Sequence, residues 1–343
     1  MTASGNPITV AVVIPSYKVR KHILSVIGRI GPEVARIYVV DDCCPEDSGN
    51  FVTEHCTDQR IRVLKNLHNT GVGGAVMAGY RAAIADGADI IVKIDGDAQM
   101  DPALLPQFIA PIVDGWADYT KGNRFYNLTH IHRMPKLRLV GNAVLSFMSK
   151  ASTGYWNVFD PTNGYTAIDS RVAAHLPFDK ISNRYFFETD MLFRLNTLRA
   201  VVADIPMDAV YGEEESNLKI SQILGEFMGK HARNFLKRIV YNYFLRDTTA
   251  ATFELLFGIL LLLFGSVYGV VNWISSYNQH IATPTGTIML SALPVIVGLQ
   301  LVLAFLNFDV ANLPSRAVSA LLPDISTRLP LERHKAAHVN EIS

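Results

Sequence analysis

Two carboxylates spaced two residues apart, Asp95 and Asp97, stand with Gln99 directly after the apolar run of residues 90–94. If the chain turns at Gly96, both can face one pocket and offer hard oxygen ligands. Such ligands suit Mg2+ or Mn2+, ions that keep open positions for phosphate oxygens. An Asp-x-Asp pair alone is common in surface turns, so its place in the chain carries the argument. A second acidic pair, Asp41 and Asp42, ends the run of residues 36–40. One of them could accept hydrogen bonds from a nucleobase or ribose, or serve as a turn acid before Pro45. Residues 69–75 are glycine-rich and open a helical pattern, a place where backbone N–H groups can cradle a phosphate. They lack the Gly-Lys-Ser/Thr ending of a Walker loop and the placement of the dinucleotide fingerprint, so close helix packing is the preferred reading. Arg124, after Gly122, could neutralise a diphosphate, and Asp160 opens a turn that ends at Tyr165. Glu188 and Asp190 precede an amphipathic pattern, either as an N-cap pair or as acids beside an acceptor.

The elements that must position these groups are strands. Residues 8–14, 36–40, 61–64 and 90–94 are apolar runs of strand length, with helical patterns at 21–30 and 72–86 between them. Strand alternating with helix predicts an α/β fold with a mostly parallel sheet. In such sheets ligands bind beyond the carboxyl ends of the strands. The candidate residues sit there: Pro15 and Tyr17 after the first run, Asp41 and Asp42 after the second, Asp95 and Asp97 after the fourth. Residues 104–250 read as helices and loops.

The charge pattern divides the chain. Its 31 basic and 31 acidic residues balance, which excludes a strongly basic nucleic-acid footprint. Between Glu254 and Asp309 there is no Asp, Glu, Lys or Arg. Within that stretch, residues 255–274 and 286–308 are each long enough to cross a bilayer, which takes about 20 apolar residues as a helix. Basic residues flank the pair: Lys230, Arg233, Lys237, Arg238 and Arg246 before it, Arg316, Arg328, Arg333 and Lys335 after it. The positive-inside rule then places both ends, and the domain before the pair, in the cytoplasm. Residues 218–246 repeat apolar and aromatic side chains at a helical period with cations between them, as an interfacial helix does. The cations there could meet a phosphate at the membrane surface. The bland alternative is a surface helix of the preceding domain. Three cysteines, Cys43, Cys44 and Cys56, make no disulfide framework and fit a reducing compartment. The expected division is 1–215, 216–250, 251–310 and a tail, 311–343.

In order, the pieces resemble the family-2 glycosyltransferases of GT-A fold: Pro15 and Tyr17, Asp41 and Asp42, Asn69 with Gly71 and Gly73, Asp95 with Asp97 and Gln99, Gly122 with Arg124, and Glu188 with Asp190. Within them the likeness is to polyprenyl-phosphate glycosyltransferases of the dolichyl-phosphate mannose synthase type, some of which end in a transmembrane pair. The resemblance implies that Pro15, Tyr17 and Asp42 hold the nucleoside. It implies that Asp95 contacts the donor and that Asp97 and Gln99 ligate the metal. It gives Arg124 to the phosphates and Asp190 and Asp160 to the acceptor side. Two arginines common in such proteins are absent. Thr166 stands where one follows the aromatic residue, and Ala209 precedes the Tyr211-Gly212-Glu213 stretch where another is usual. Lys219, Arg233, Lys237 or Arg238 could substitute toward the acceptor phosphate.

The activity so implied is an inverting transfer from a UDP- or GDP-sugar to undecaprenyl or dolichyl phosphate, by a membrane protein; family members with a transmembrane pair can be tetramers, and the oligomeric state here stays open. Two other readings compete. A processive polysaccharide synthase would carry a Gln-x-x-Arg-Trp motif, and none surrounds Trp116, Trp156 or Trp273. A non-enzymatic subunit of a glycolipid export complex would not need the Asp95, Asp97 and Gln99 set.

Overall fold

The computed structural model describes residues 7–126, 136–208 and 220–323, leaving aside the side chains at 136–140, 142 and 220–224. The chain forms two compact units. One runs to Asn234 and resumes at Pro314; the other is Phe235–Leu313.

The first unit is built on a seven-stranded sheet in the order β3-β2-β1-β4-β6-β5-β7. Strands β1 (Val10–Ser16), β2 (Val34–Asp41), β3 (Ile61–Lys65) and β4 (Ile90–Lys93) pair in parallel, as the four apolar runs predict. Three further strands lie where helices and loops were expected: β5 (Tyr119–Asn123), β6 (Thr166–Asp169) and β7 (Val202–Pro206). Strand β6 runs antiparallel between β4 and β5, and β7 pairs in parallel with β5. These strands escape a hydropathy reading because polar residues interrupt them. Lys93, Thr166, Lys121 and Asp204 are register partners across β4, β6, β5 and β7.

Side chains alternate across the sheet and feed two apolar layers, and this alternation fixes the register. On one face Val13, Tyr38, Ile91, Tyr119 and Ile168 pack under α3 (Val72–Ala85) and α7 (Phe187–Thr197). On the other, Val12, Val39, Val92 and Ala167 pack under α1 (Ile23–Gly28) and α4 (Leu105–Val113). Each fully buried valine or isoleucine contributes about 1.5–3 kcal/mol. The remaining helices of this unit are α2 (Ser48–His55), α5 (Lys136–Thr153), α6 (Ser170–Ala174) and the start of α8 (Ile220–Ile239). The glycine run behaves as the packing reading predicts. Gly71 has φ 86°, and a Cβ on Gly73 would fall 2.5 Å from the Ser182 carbonyl. This lets α3 lie against the 182–187 segment.

After residue 313 the chain returns to this unit. The fully buried carboxylate of Asp118 accepts N–H groups from Val201 at 2.7 Å, Val318 at 2.9 Å and Ser319 at 2.8 Å. The 216–250 segment divides at Asn234, because His231 and Asn234 bond into the sheet unit while Arg238 bonds to Asp309. Residues 314–323 belong with the sheet rather than with a separate tail.

The second unit continues α8 through a π-helical turn at Val240–Arg246 into α9 (Ala250–Asn278) and α10 (Thr285–Ala311). Both α9 and α10 are long and apolar enough to cross a membrane, and 11% of each core window is buried. Their outward surfaces are apolar, with Phe257, Leu263, Val271 and Leu303 all exposed. Small residues let the two backbones meet: a Cβ on Gly298 would lie 2.9 Å from the Gly258 carbonyl, and Ser291 donates to the Gly265 carbonyl at 2.9 Å. This is how helices associate where water supplies no driving force.

Candidate active site

At the carboxyl end of β1, Pro15 is partly buried and Tyr17 is exposed. Ser16 pairs in register with Asp41. The two acids that end β2 are inward braces. Asp41 accepts the N–H groups of Cys44 at 2.7 Å and Gly49 at 2.6 Å, holding the start of α2. Asp42, 2% exposed, accepts Asn66 Nδ2, Thr70 N and Thr70 Oγ1 at 2.7–2.8 Å on one oxygen and Gly71 N at 2.7 Å on the other. Its carboxylate is spent on the 69–71 loop.

The end of β4 is where acids gather. Asp95 accepts an ion pair from Lys93 Nζ at 2.9 Å, and Glu188, in the first turn of α7, faces the same ammonium at 3.4 Å. Lys93 is 1% exposed. Burial pushes its ammonium down, yet Asp95 and Glu188 outweigh burial and hold it above the ordinary lysine range. The turn that carries Asp160 closes over the pair. A Cβ on Gly164 would lie 2.5 Å from both Lys93 Nζ and Asp95 Oδ2, so a side chain there would push the ends of these two side chains aside.

A second buried lysine stands across β6. Lys121 donates to the Asn163 carbonyl. Burial lowers it to about 8, against the opposing pull of Glu188 and Asp160. Beside it Asp204 accepts Phe159 N at 2.9 Å and Asn123 Nδ2 at 3.2 Å, and burial raises its carboxyl to about 6.

Arg124 and the fully buried Asp160 form a bidentate pair, Nε to Oδ2 at 2.7 Å and Nη2 to Oδ1 at 3.0 Å. Asp160 therefore holds Arg124 in place and is not an exposed acid awaiting an acceptor. Asp190 is turned away from the strand ends: it accepts Ser182 N at 2.9 Å and Asn234 Nδ2 at 3.1 Å. Arg238 is 1% exposed and clamps Asp309 through both carboxylate oxygens, so it is not a surface cation for a phosphate. Arg233 and Lys237 are exposed on α8. Lys219, the 209–213 stretch, Arg328, Arg333 and Lys335 lie outside the described residues. The residues that sequence reasoning missed are Lys93, Lys121 and Asp204. The one available signal was a lysine inside the buried run Ile91-Val92-Lys93-Ile94.

Asp97 and Gln99 share a turn in which Ala98 has φ 63° and Gln99 N donates to Asp97 Oδ1 at 3.0 Å. Both side chains are partly exposed, while Asp95 is engaged by Lys93. Among the described residues no group of three or more His, Cys, Asp or Glu forms a metal cage. A hard ion that also binds a diphosphate needs only one or two protein ligands, so the oxygen donors of Asp97 and Gln99 fit such an ion.

The mostly parallel mixed sheet with helices on both faces is a GT-A fold. Residues 11–176 match the family described as Glycosyl transferase family 2, and the chain is a glycosyltransferase. It is 28% identical over 221 residues to an undecaprenyl-phosphate mannosyltransferase of Micrococcus luteus, covering 63% of this chain and 90% of that protein. It is 26% identical to a UDP-N-acetylglucosamine–dolichyl-phosphate N-acetylglucosaminyltransferase of Methanococcus voltae, over 59% of this chain and 85% of that one. Among solved structures it resembles glucosyl-3-phosphoglycerate synthase of Mycobacterium tuberculosis in complex with UDP, with TM-score 0.50 and 21% identity over 68% of this chain and 80% of that one. That likeness is one of fold.

Proposed function

We propose that the protein transfers a sugar from a UDP- or GDP-sugar to a polyprenyl phosphate in the bilayer, with inversion at the anomeric carbon. The observation that carries this reading is the acid set at the end of β4, Asp95 with Asp97 and Gln99, in a chain that also has two long apolar helices. A donor pocket of this kind and an anchored chain belong together when the acceptor is a lipid. The names of the two relatives, both polyprenyl-phosphate sugar transferases, support the same reading.

In the proposed reaction an oxygen of the lipid phosphate attacks the anomeric carbon. The bond from that carbon to the diphosphate breaks, and its electron pair leaves with the nucleoside diphosphate. A phosphate monoester has its second pKa near 6, so the acceptor is largely ionised at neutral pH and no strong base is required. Asp97 and Gln99 would hold Mg2+ or Mn2+, which supplies Lewis-acid stabilisation of the leaving diphosphate. Asp95 orients the donor. Glu188, opposite it across Lys93, faces the acceptor side. Arg124, fixed by Asp160, presents its guanidinium to phosphate oxygens. Pro15 and Tyr17 flank the nucleoside.

The same reading puts α9 and α10 across the bilayer, with the catalytic unit and both termini in the cytoplasm. The test combines purified full chain in detergent with undecaprenyl or dolichyl phosphate, Mn2+ and a panel of UDP- and GDP-sugars. Mass spectrometry should find polyprenyl-phosphate-sugar and an equal amount of nucleoside diphosphate. If no donor in the panel yields either product, the reading is wrong.

A further inference from the structure

Two lysines lie in one cross-strand row inside the sheet. Lys93 on β4 and Lys121 on β5 flank Thr166 on β6 in register, and both are buried to 1% exposure or less. Register partners project to the same face, here the face covered by α7. Four acids surround the row. Asp95 and Glu188 touch Lys93; Asp160 stands in the loop that receives the Lys121 hydrogen bond; Asp204 is the register partner of Lys121.

Buried lysines are rare, because removing an ammonium from water costs several kcal/mol unless it is paired. A fold that needed only packing here would use leucine or methionine at less cost. Two cations in this row are explained by what they face. Asp95 and Glu188 both approach one point, and two carboxylates so close would repel each other. We propose that Lys93 is a positioning residue for sugar transfer, its ammonium holding Asp95 on the donor side and Glu188 opposite it, with Lys121 as the second cation of the same row.

The inference rests on the transfer reading given above. Gly164 lies against the pair, since a Cβ there would come within 2.5 Å of both Lys93 Nζ and Asp95 Oδ2 and displace them.

The test uses full-length protein in detergent with Lys93→Met and, separately, Gly164→Ala, which keeps every charge and displaces the pair. Thermal melts establish folding. Calorimetry with UDP and with GDP, each with Mn2+, gives affinity, and product release gives kcat/KM. Misplacing a donor contact should lower kcat/KM about 100-fold in each variant and weaken binding of the accepted nucleotide about tenfold. Where Lys93→Met does not fold, Lys93→Gln, which keeps hydrogen-bond donors, is measured in its place. Folded variants with affinity and kcat/KM within about twofold of the parent would overturn the proposal, since a purely structural lysine would shift only the melt. A parent protein that binds a nucleotide but transfers nothing to polyprenyl phosphate fails the transfer reading alone. The nucleotide affinities of the variants then still decide the role of Lys93.

Discussion

In an α-helix, residues two apart lie about 200° apart around the axis. Glu188 and Asp190 share the first turn of α7 and therefore point to nearly opposite sides, one to Lys93 and one to Asn234. Sequence spacing names the pair but cannot give the helix phase, so the acceptor-side role of Asp190 rests on the resemblance alone. Substitution should separate them. Glu188→Gln is expected to lower kcat by about 100-fold with little change in melting temperature. Asp190→Asn should lower stability by about 1–3 kcal/mol through its lost hydrogen bonds while changing kcat little. Steady-state rates and denaturant titrations of both variants check this. Asp97→Ala should abolish most transfer at low Mn2+ without unfolding, read as the metal dependence of the rate. Asp204 supplies a pH test. Its folded pKa of about 6 lies above the unfolded value, so its contribution is full below pH about 4 and is lost as pH rises through about 6. The loss is about 3 kcal/mol at most. Asp204→Asn should flatten the fall in stability between pH 4 and 7, as measured by melts of the two proteins side by side.

Among the elements, the four parallel strands were legible because each is a continuous apolar run with both faces covered, as parallel strands require. Strands β5, β6 and β7 were not, because Lys121, Thr166 and Asp204 break their apolar runs. The residues that hide these strands are the ones that line the candidate site. Asp95, Asp97 and Gln99 could be found because a strand of ordinary composition points at them. Lys93 could not, because its partners come from a turn and from a helix some 95 residues away. Helices α9 and α10 were legible from the absence of charge, and their packing is testable. Gly298→Leu would place its side chain against the Gly258 carbonyl, a backbone atom that cannot rotate aside. Overpacking there should destabilise the helix pair by about 1–3 kcal/mol, seen as earlier thermal unfolding and faster proteolysis of the segment in detergent.

For the molecule as a whole, the separation of its two units along the chain was only partly visible. Composition marks the apolar stretch but gives no sign that Arg238 will find Asp309, 71 residues later. Both side chains are 2% exposed, and Tyr243 Oη also donates to Asp309 at 2.6 Å. Removing one partner of a buried ion pair leaves a bare charge. Arg238→Met should therefore destabilise the C-terminal unit by about 3–5 kcal/mol, and Arg238→Met with Asp309→Leu should recover much of that. Thermal unfolding of the single and double variants in detergent measures both.

The Asp118 carboxylate bears on biogenesis. Two of its three N–H donors are made 200 and 201 residues after it. A ribosome must translate the whole helical hairpin before the catalytic sheet can receive them. Until then a carboxylate destined for full burial lacks two of its donors, a deficit of about 1–3 kcal/mol for each unmet bond. The sheet thus reaches its final stability only once the helix pair has been synthesised. A nascent chain arrested before residue 318 would be the weaker fold and the readier target for quality-control proteases.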